Sequence, residues 1–378
     1  MSRRLLAASH ACVVDINQQL FLEMSHDGRF EIELVIPESW PVGGKWQRHG
    51  VIAGAGSGLR LKPLPVVLAG QLSLHFYRAR IPGPYPDVVL VDEQAWSLSA
   101  LQLALIAKRA CAKLVLTAEQ NLYKRYPPPF AWIERFVMSQ AAGIFPTNEG
   151  AAEVLRKKGY SGPLEVVPHG VDLALFTPGR EDQLRAELGL QGTVMGYMGR
   201  LVPEKGVDLL IEAWRALAER ADLPAWSGVI VGSGPERERL GEAIAAAGLD
   251  DRVRLLDAVA HGDAGRYMRC LDVLVLPSRT AAHWKEQFGR VLIEALAAEK
   301  AVVGSDSGNI PFLIDETAGG LVFPEGDAAG LAESVAKLLL DDQLRCRMGR
   351  SGAEVVRQRY DVRAVARRLG QALEDLAA

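Results

Sequence analysis

Short apolar runs alternate with amphipathic segments along the whole chain. Parallel sheets covered by helices on both faces give this pattern, because their strands are buried on both sides. In the first half, the apolar runs that predict strands are residues 4–8, 32–36, 66–68, 88–91, 114–117, 143–146 and 164–167. The amphipathic segments that predict helices there are residues 17–25, 98–111, 130–139 and 150–158.

The second half repeats this rhythm after a Pro- and Gly-bearing stretch that predicts a linker at 173–179. Its predicted strands are residues 194–197, 228–231, 253–256, 273–276, 302–304 and 321–323. Its predicted helices are residues 207–220, 236–247, 290–299 and 328–340, followed by a helical tail from about 344 to 378. We therefore predict an α/β protein of two doubly wound, Rossmann-like domains, 1–172 and 180–360, with a ligand cleft between them.

Composition agrees with two domains and narrows the function. The chain has 378 residues, of which 49% are hydrophobic, so it can fill two cores. Its net charge of −3 is too balanced for a protein whose main task is to grip nucleic acid. The four cysteines lie far apart, which predicts a reducing compartment and neither a zinc site nor a disulfide framework.

Targeting signals are weak. The first residues carry two arginines and a short apolar run, but His10 interrupts the run, so a buried first strand is preferred to a signal peptide. No run approaches the ~18 apolar residues of a membrane-spanning helix. We expect a cytoplasmic protein that is soluble or attached at the inner face of the membrane.

The first candidate site segment follows the predicted strand at 194–197. Gly199 lies at a turn, and Arg200 and Lys205 lie in the loop before the next helix. A loop at the carboxyl end of a strand that leads into a helix N-terminus is a natural anion site, and two cations there can neutralise a diphosphate. A solvated loop with two surface charges is the alternative.

The second candidate is the glycine-rich turn after the strand at 228–231. Gly232, Ser233 and Gly234 form a Gly-x-Gly before a helix, a pattern that lets backbone amides approach a phosphate. A lone Gly-x-Gly is weak, because most such turns are merely tight connections. The glycines of residues 54–58 are weaker still, since no helical pattern follows them and no dinucleotide fingerprint is present.

The third candidate is a pair of carboxylates around a predicted loop-to-helix transition. Glu286 precedes the helix and Glu294 lies about one turn inside it. Eight helical residues would separate them by ~12 Å along the axis. That spacing would let one carboxylate meet a sugar and the other a ribose, with amides near Phe288 and Gly289 facing the phosphates between. The alternatives are that Glu294 is an ordinary exposed helix residue and that Glu286 is a charge at the entry of the helix.

These motifs together resemble a known family. Met198-Gly-Arg200, Glu204-Lys-Gly206, Val231-Gly-Ser-Gly-Pro235, Glu286-x7-Glu294 and Gly304-Ser-Asp-Ser-Gly-Asn-Ile-Pro311 occur in order. They resemble retaining glycosyltransferases of the GT-B fold, in the large family (family 4 type) that includes bacterial α-mannosyl- and α-glucosyltransferases. The resemblance is strong over residues 165–330 and looser before them, where Pro168-His-Gly-Val-Asp172 is the clearest element.

The resemblance implies a role for each matching position. The first domain would bind the acceptor and the second a nucleotide sugar, with a C-terminal helix at about 361–378 crossing back to the first domain. Arg200, Lys205 and Glu286 would act in catalysis: the two cations on the diphosphate leaving group and Glu286 on the transferred sugar. Glu294 would bind the ribose. The remaining donor contacts would be Gly199, Gly232, Ser233, Gly234, Leu256, Asp257, Ala258, Gln287, Phe288 and Gly289.

The N-terminal half departs from the family pattern. Many relatives have a glycine-rich loop after the first strand, whereas this chain has His10 there. Many relatives also have a histidine after the fifth strand that contacts the sugar, and this chain has no histidine at that position. At that second position Glu119, Gln120 or Asn121 would replace the histidine. Glu93 and Trp96 follow a predicted strand and are acceptor candidates. For His10, the alternative to a contact with the sugar or the acceptor is a local structural role.

A basic and aromatic stretch of the first half suggests peripheral membrane contact, with a solvated helix face as an equal alternative. Its residues are Lys108, Arg109, Lys113, Tyr123, Lys124, Arg125, Tyr126 and Trp132.

The sequence thus predicts hexosyl transfer from a nucleoside-diphosphate sugar to a glycan, lipid-linked or small-molecule hydroxyl. In this family, retention is usually explained by front-face attack, in which the departing phosphate oxygen helps to take the acceptor proton. No Asp-x-Asp metal motif was found, so we expect no metal and no cofactor. The alternatives are a nucleotide-sugar epimerase, a non-catalytic nucleotide-sugar-binding protein and, more distantly, a nicotinamide oxidoreductase.

Overall fold

The computed structural model describes residues 2–42, 45–52, 54, 58–78 and 86–377. The glycine-rich residues 55–57 lie outside this range. The chain forms two compact units. The first contains the residues up to Gly170 together with those from Val362 onward, and the second is Val171–Asp361.

The first unit is built on six parallel strands. Its strands are β1 Arg3–Ser9, β2 Phe30–Pro37, β3 Ser39–Val42, β4 Lys45–Arg48, β5 Leu59–Leu64, β6 Val66–Val67, β7 Phe76–Tyr77, β8 Val88–Asp92, β9 Lys113–Ala118 and β10 Ala141–Pro146. The main sheet has the order β10-β9-β8-β1-β2-β5, while β3–β4 and β6–β7 form small antiparallel pairs. Its helices are α1 Gln19–His26, α2 Leu98–Ala110, α3 Phe130–Gln140, α4 Glu149–Lys157 and, at the end of the chain, α13 Val362–Ala377.

Successive side chains of the central strand β1 enter two different cores, because side chains alternate across a sheet. Leu5 and Ala7 join the core that includes α1 and α13, whereas Leu6 and Ala8 join the core that includes α2 and α3. Both faces of the sheet are therefore covered, which explains the unbroken apolar runs in the sequence.

One strand predicted in this unit is wrong, and four strands of the described residues were missed, namely β3, β4, β5 and β7. The strand predicted at 66–68 is β6, which pairs with β7 outside the main sheet. The strand predicted at 164–167 is wrong, because the only bridge recorded there is an isolated one from Leu164 to Ile144. Of the missed strands, β5 belongs to the main sheet, where it lies at the edge and contains Pro63. Proline is tolerated at an edge because it has no backbone N–H to donate to a further strand.

The second unit repeats the architecture. Its strands are β11 Thr193–Met198, β12 Trp226–Val231, β13 Val253–Leu256, β14 Val273–Leu276, β15 Ala301–Ser305 and β16 Gly320–Phe323. All are parallel, in the order β13-β12-β11-β14-β15-β16. Its helices are α5 Asp182–Glu187, α6 Val207–Ala218, α7 Arg237–Ala246, α8 His261–Cys270, α9 Arg290–Ala297, α10 Ile310–Thr317, α11 Ala328–Leu340 and α12 Asp342–Arg359.

The predicted helical tail is two helices. α12 ends before Tyr360, whose carbonyl accepts a hydrogen bond from the Val171 backbone N–H at 2.7 Å. α13 then packs on the first unit, where Val365, Leu369 and Leu373 are buried in the core. This confirms the helix that the family resemblance implied for residues 361–378.

Across the described ranges, no helix is both long and apolar enough to span a bilayer.

Candidate functional site

The loops that follow β11 and β12 pack backbone against backbone in the second unit. The Gly199 N–H donates to Val231 O at 3.0 Å, and the Leu201 N–H donates to Ser233 O at 2.8 Å. A Cβ at Gly232 would lie 2.0 Å from the Gly199 carbonyl oxygen, and one at Gly234 would lie 2.1 Å from that of Leu201. Both glycines are therefore required by the contact between loops, whatever part they also play toward a phosphate.

Arg200 is presented at the tip of the first loop. Its side chain is exposed and makes no ion pair with any residue that the structure describes. Its carbonyl accepts a hydrogen bond from the Tyr197 hydroxyl at 2.7 Å, which fixes the loop backbone. Burial, aided by the charge of Glu286, raises the pKa of Tyr197, so this donor keeps its proton. The arrangement leaves a guanidinium available for an anionic ligand.

Lys205 and Glu286, 81 residues apart in sequence, form an ion pair. Lys205 lies in the short 3-10 helix Pro203–Lys205 before α6, and its Nζ is 2.6 Å from Glu286 Oε2. The Ser278 hydroxyl donates to the same oxygen at 2.8 Å, and the Trp284 ring centroid lies 5.0 Å from Nζ. The Lys205 and Glu286 side chains are only 14% and 8% exposed, so the pair is shielded from solvent.

The backbone changes direction immediately after Glu286 and enters α9. Gly289 is the N-cap, with φ of +84° in the left-handed region that favours glycine. Phe288 is buried, and its carbonyl accepts from Asn309 Nδ2 at 3.3 Å; Gln287 is half-buried between Glu286 and Phe288. The first N–H groups of α9 are a partial positive charge that suits a phosphate.

Glu294 lies one turn inside α9. It makes no hydrogen bond or ion pair with the described part of the chain. Burial raises the pKa of this carboxyl, although the nearby Arg290 cation opposes the shift. Because no described side chain pairs with it, the Glu294 carboxyl group can exchange hydrogen bonds with the hydroxyls of a ligand.

The end of β13 supplies the remaining donor candidates. Leu256 is half-buried, and its carbonyl accepts from Arg237 Nη1 at 3.0 Å. Asp257 and Ala258 are exposed, and Asp257 pairs with Arg237 at 3.2 Å. Ser233 is also exposed. The donor candidates therefore lie at the carboxyl ends of parallel strands, in the loops that follow them, or in the first turns of α9, where α/β sheets bind ligands. Their individual roles stay predictions.

Five of the six acceptor candidates line one cavity of the first unit: His10, Glu93, Trp96, Glu119 and Gln120. Tyr126 also lines it and stacks on Trp96, with ring centroids 4.7 Å apart. Asn121 is buried and is not among the lining residues. Glu119 pairs with His169 Nε2 at 2.9 Å.

Glu93 is the centre of a buried polar network at this cavity. Its Oε1 accepts from the Tyr77 hydroxyl at 2.7 Å and from the His10 backbone N–H at 2.9 Å, while Oε2 lies 2.6 Å from His10 Nδ1. Burial alone would raise the pKa of Glu93, but the rings of His10 and His75 outweigh it and lower the pKa to about 2. Glu93 is thus a buried carboxylate in its charged form.

Sequence reasoning missed several members of these sites. Ser278 follows β14 at the sheet end where ligands bind, so its position in the sequence was an available signal. His75 and Tyr77 lie at and near the short strand β7, and nothing in their local sequence pointed to Glu93.

The proposed membrane-facing stretch is partly exposed. Lys108, Arg109, Lys113, Tyr123, Arg125 and Trp132 are exposed, whereas Lys124 is half-buried. Tyr126 turns instead to the cavity, because it stacks on Trp96. Membrane contact stays a prediction.

Comparison with known proteins gives a consistent set of relatives. Residues 180–355 match the family model described as glycosyl transferases group 1. The α-D-kanosaminyltransferase of Streptomyces kanamyceticus is 31% identical over 252 residues, which cover 65% of this chain and 63% of the relative, less than two thirds of its length. The GDP-mannose-dependent α-(1-6)-phosphatidylinositol monomannoside mannosyltransferase of Mycobacterium tuberculosis is 30% identical over 298 residues, covering 73% of this chain and 76% of the relative.

Among solved structures, HepE of Anabaena in complex with UDP superimposes with a TM-score of 0.76 at 18% identity, covering 99% of this chain and all of that one. At such low identity the match shows the fold, which is GT-B, with its two Rossmann-like domains. Together with the mannosyltransferase, which is matched over three quarters of its length, these findings show that the chain belongs to the group 1 glycosyltransferase family.

Proposed function

We propose that this protein transfers a hexose from a nucleoside-diphosphate sugar to a hydroxyl acceptor, with retention of the anomeric configuration. The observation that carries the proposal is the shielded Lys205–Glu286 pair, 2.6 Å between Nζ and Oε2, beside the start of α9. It lies in the part of the chain that matches the family model.

The chemistry explains why these groups suit the reaction. Cleavage of a glycosyl–phosphate bond builds negative charge on the diphosphate and positive charge on the sugar ring. An ammonium has three donors, so Lys205 can keep Glu286 and also bond a phosphate oxygen. Arg200 and the first N–H groups of α9 would share the remaining charge, and such preorganised groups lower the barrier most.

The acceptor would enter the cavity of the first unit. Its lining combines the aromatic ring of Trp96 with the polar groups of His10, Glu93, Glu119 and Gln120, a mixture that suits a sugar or another polyol. The name of the mannosyltransferase relative supports a lipid-linked acceptor, and that of the kanosaminyltransferase supports a transferred sugar other than mannose. We therefore propose a glycan, lipid-linked or small polyol acceptor.

The experiment begins with a thermal-shift screen of UDP-, GDP- and ADP-sugars, since one relative is named for GDP-mannose and HepE was solved with UDP. The stabilising donor is then incubated with candidate acceptors. We expect free nucleoside diphosphate in a 1:1 ratio to glycosylated product, and NMR of the product should show the anomeric configuration of the donor. Conversion of the donor to an isomer would instead identify an epimerase, and binding without turnover would identify a non-catalytic binding protein.

We also propose that the donor diphosphate is bound without a divalent metal. Lys205, Arg200 and the start of α9 already supply positive charge, so Mg²⁺ should add little. Calorimetric titration with the nucleoside diphosphate should give the same Kd, within about twofold, with and without Mg²⁺. A tenfold tightening by Mg²⁺, equal to about 1.4 kcal/mol, would contradict the proposal.

A further inference from the structure

His10, His75 and Glu93 form a compact group in the first unit, here called the histidine–glutamate cluster. One ligand atom from each residue, a ring nitrogen of each histidine and a carboxylate oxygen of Glu93, lies within 4.8 Å of the other two. Glu93 Oε2 is 2.6 Å from His10 Nδ1 and 3.2 Å from His75 Nε2. His75 and Glu93 have fully buried side chains, and that of His10 is 20% exposed at the cavity. The donor chemistry of the second unit uses none of these groups.

The ring of His75 contains an unsatisfied polar atom. Its Nδ1 is 3.2 Å from the Gln71 carbonyl oxygen, which can only accept, so Nδ1 must hold the ring hydrogen. In a neutral ring, Nε2 then carries a lone pair. Nε2 is completely buried and makes no hydrogen bond with the described residues, although Glu93 Oε2 is only 3.2 Å away. In that tautomer two electron-rich atoms face each other in a buried place, which is costly unless a proton or a metal cation lies between them.

We propose that the histidine–glutamate cluster binds a divalent transition-metal cation with zinc-like preferences through His10 Nδ1, His75 Nε2 and Glu93 Oε2. Imidazole nitrogens and a carboxylate oxygen are a ligand set that Zn²⁺ uses. Ligands about 2.1 Å from a tetrahedral ion lie roughly 3.4 Å apart, so the 3.2 Å between His75 and Glu93 already fits. The contact of His10 with Glu93 must lengthen by less than about 1 Å, and the two histidine nitrogens, up to 4.8 Å apart, must approach each other by up to about 1.4 Å.

The surroundings of the cluster resemble those of a built metal site. Metal-binding histidines usually donate their second ring N–H to a carbonyl or carboxylate, and His75 directs Nδ1 at Gln71 O. The Trp40 ring packs against both imidazoles, with centroids 4.9 Å from each, and so restrains them. Tyr77 holds the other oxygen of Glu93 at 2.7 Å.

Three protein ligands leave one tetrahedral position open, as in zinc sites that bind water or substrate. Because His10 and Glu93 both line the cavity, that position would take a water or an oxygen of a molecule bound there. The cluster does not contain cysteine, which is why the scattered cysteines gave no sign of it. The proposal does not depend on the diphosphate site of the second unit, although His10 and Glu93 also line the cavity proposed for the acceptor.

The test uses the full chain, stripped of metal with a chelator and dialysed. Titration calorimetry with Zn²⁺, and the visible absorption of added Co²⁺, should show one tight site per chain with nitrogen and oxygen ligands. The substitution His10→Gln, at the partly exposed ligand, should weaken Zn²⁺ binding by at least about tenfold. Replacing even a residue that only hydrogen-bonds to a metal ligand typically weakens binding about 10- to 100-fold. The control is His26→Gln, whose side chain is 53% exposed and far from the cluster in sequence; it should bind like the unmodified chain.

A stability readout keeps the test decisive if a variant folds poorly. Zn²⁺ should raise the thermal midpoint of the unmodified chain and of His26→Gln, but not that of His10→Gln or Glu93→Gln. Absence of a tight site in the unmodified chain, or equal Zn²⁺ affinity in His10→Gln, would overturn the proposal. In that case a second ring proton on His75 would donate from Nε2 to the Glu93 carboxylate, and this hydrogen bond would stabilise the buried contact.

Discussion

Replacing Lys205 by alanine should lower kcat for glycosyl transfer by about 100- to 1000-fold, the range seen when one preorganised charge-stabilising group is removed. Lys205 Nζ lies 2.6 Å from Glu286 Oε2 in a shielded position, so the variant loses the cation that would face the leaving group, while Ser278 still donates to the same oxygen of Glu286. Steady-state kinetics with the donor found by thermal shift would measure the loss.

The matched control for this prediction is Lys337→Ala. Lys337 is exposed on α11 and forms no ion pair in the described structure. It should retain kcat within about twofold, and circular dichroism should show both variants folded. Lys205→Ala activity within threefold of the unmodified chain would count against the assignment of the diphosphate site.

Gly308→Ala should reduce both stability and activity, because Gly308 supports the backbone of Glu286. A Cβ at this position would lie 1.9 Å from the Glu286 carbonyl oxygen, and its φ of +59° already disfavours other residues. The neighbouring Asn309 N–H donates to the same carbonyl at 3.1 Å. The added methyl must therefore push the Gly308 loop and the Glu286 backbone apart, which disturbs the position of Glu286 beside Lys205. A shift of 1 Å in a positioned group can cost about 100-fold in rate, so we expect kcat to fall by at least tenfold.

Gly248→Ala separates the two effects. Gly248 has a similar φ of +67°, but no atom lies within 4 Å of the point that its Cβ would occupy, so the substitution carries only the conformational cost of about 1–2 kcal/mol. Urea denaturation should show a clearly larger loss for Gly308→Ala than for Gly248→Ala, and only Gly308→Ala should lose kcat. Equal losses in both variants would show that Gly308 does not position Glu286.

The strands inside the parallel sheets were predictable because burial on both faces of a sheet requires an uninterrupted run of apolar residues. Strand β8, with Val88 to Val91 fully buried, is an uninterrupted apolar run. Strand β5 has no uninterrupted apolar run, since it alternates apolar and basic residues and contains Pro63. An edge strand has one open side, and its pattern is not that of the strands inside the sheet.

The site was predictable where its residues share a local motif and not where folding brings distant segments together. The Gly-x-Gly turn was found, but its packing role was not, because that role depends on Gly199 and Leu201 of another loop. The pairing of Lys205 with Glu286 and the proximity of His75 to Glu93 depend on strand order in each sheet. No periodicity within one segment contains that information.

The last helix has a consequence for biosynthesis. Leu369 and Leu373 of α13 lie in the same core as Leu5 and Leu34, so the first unit is completed by residues that follow the whole second unit in the sequence. Domains generally fold as they are synthesised, N-terminal first. Here one apolar face of the first unit's sheet stays incompletely covered until the second unit and then α13 have been synthesised, whereas the second unit has all its residues before α13 appears.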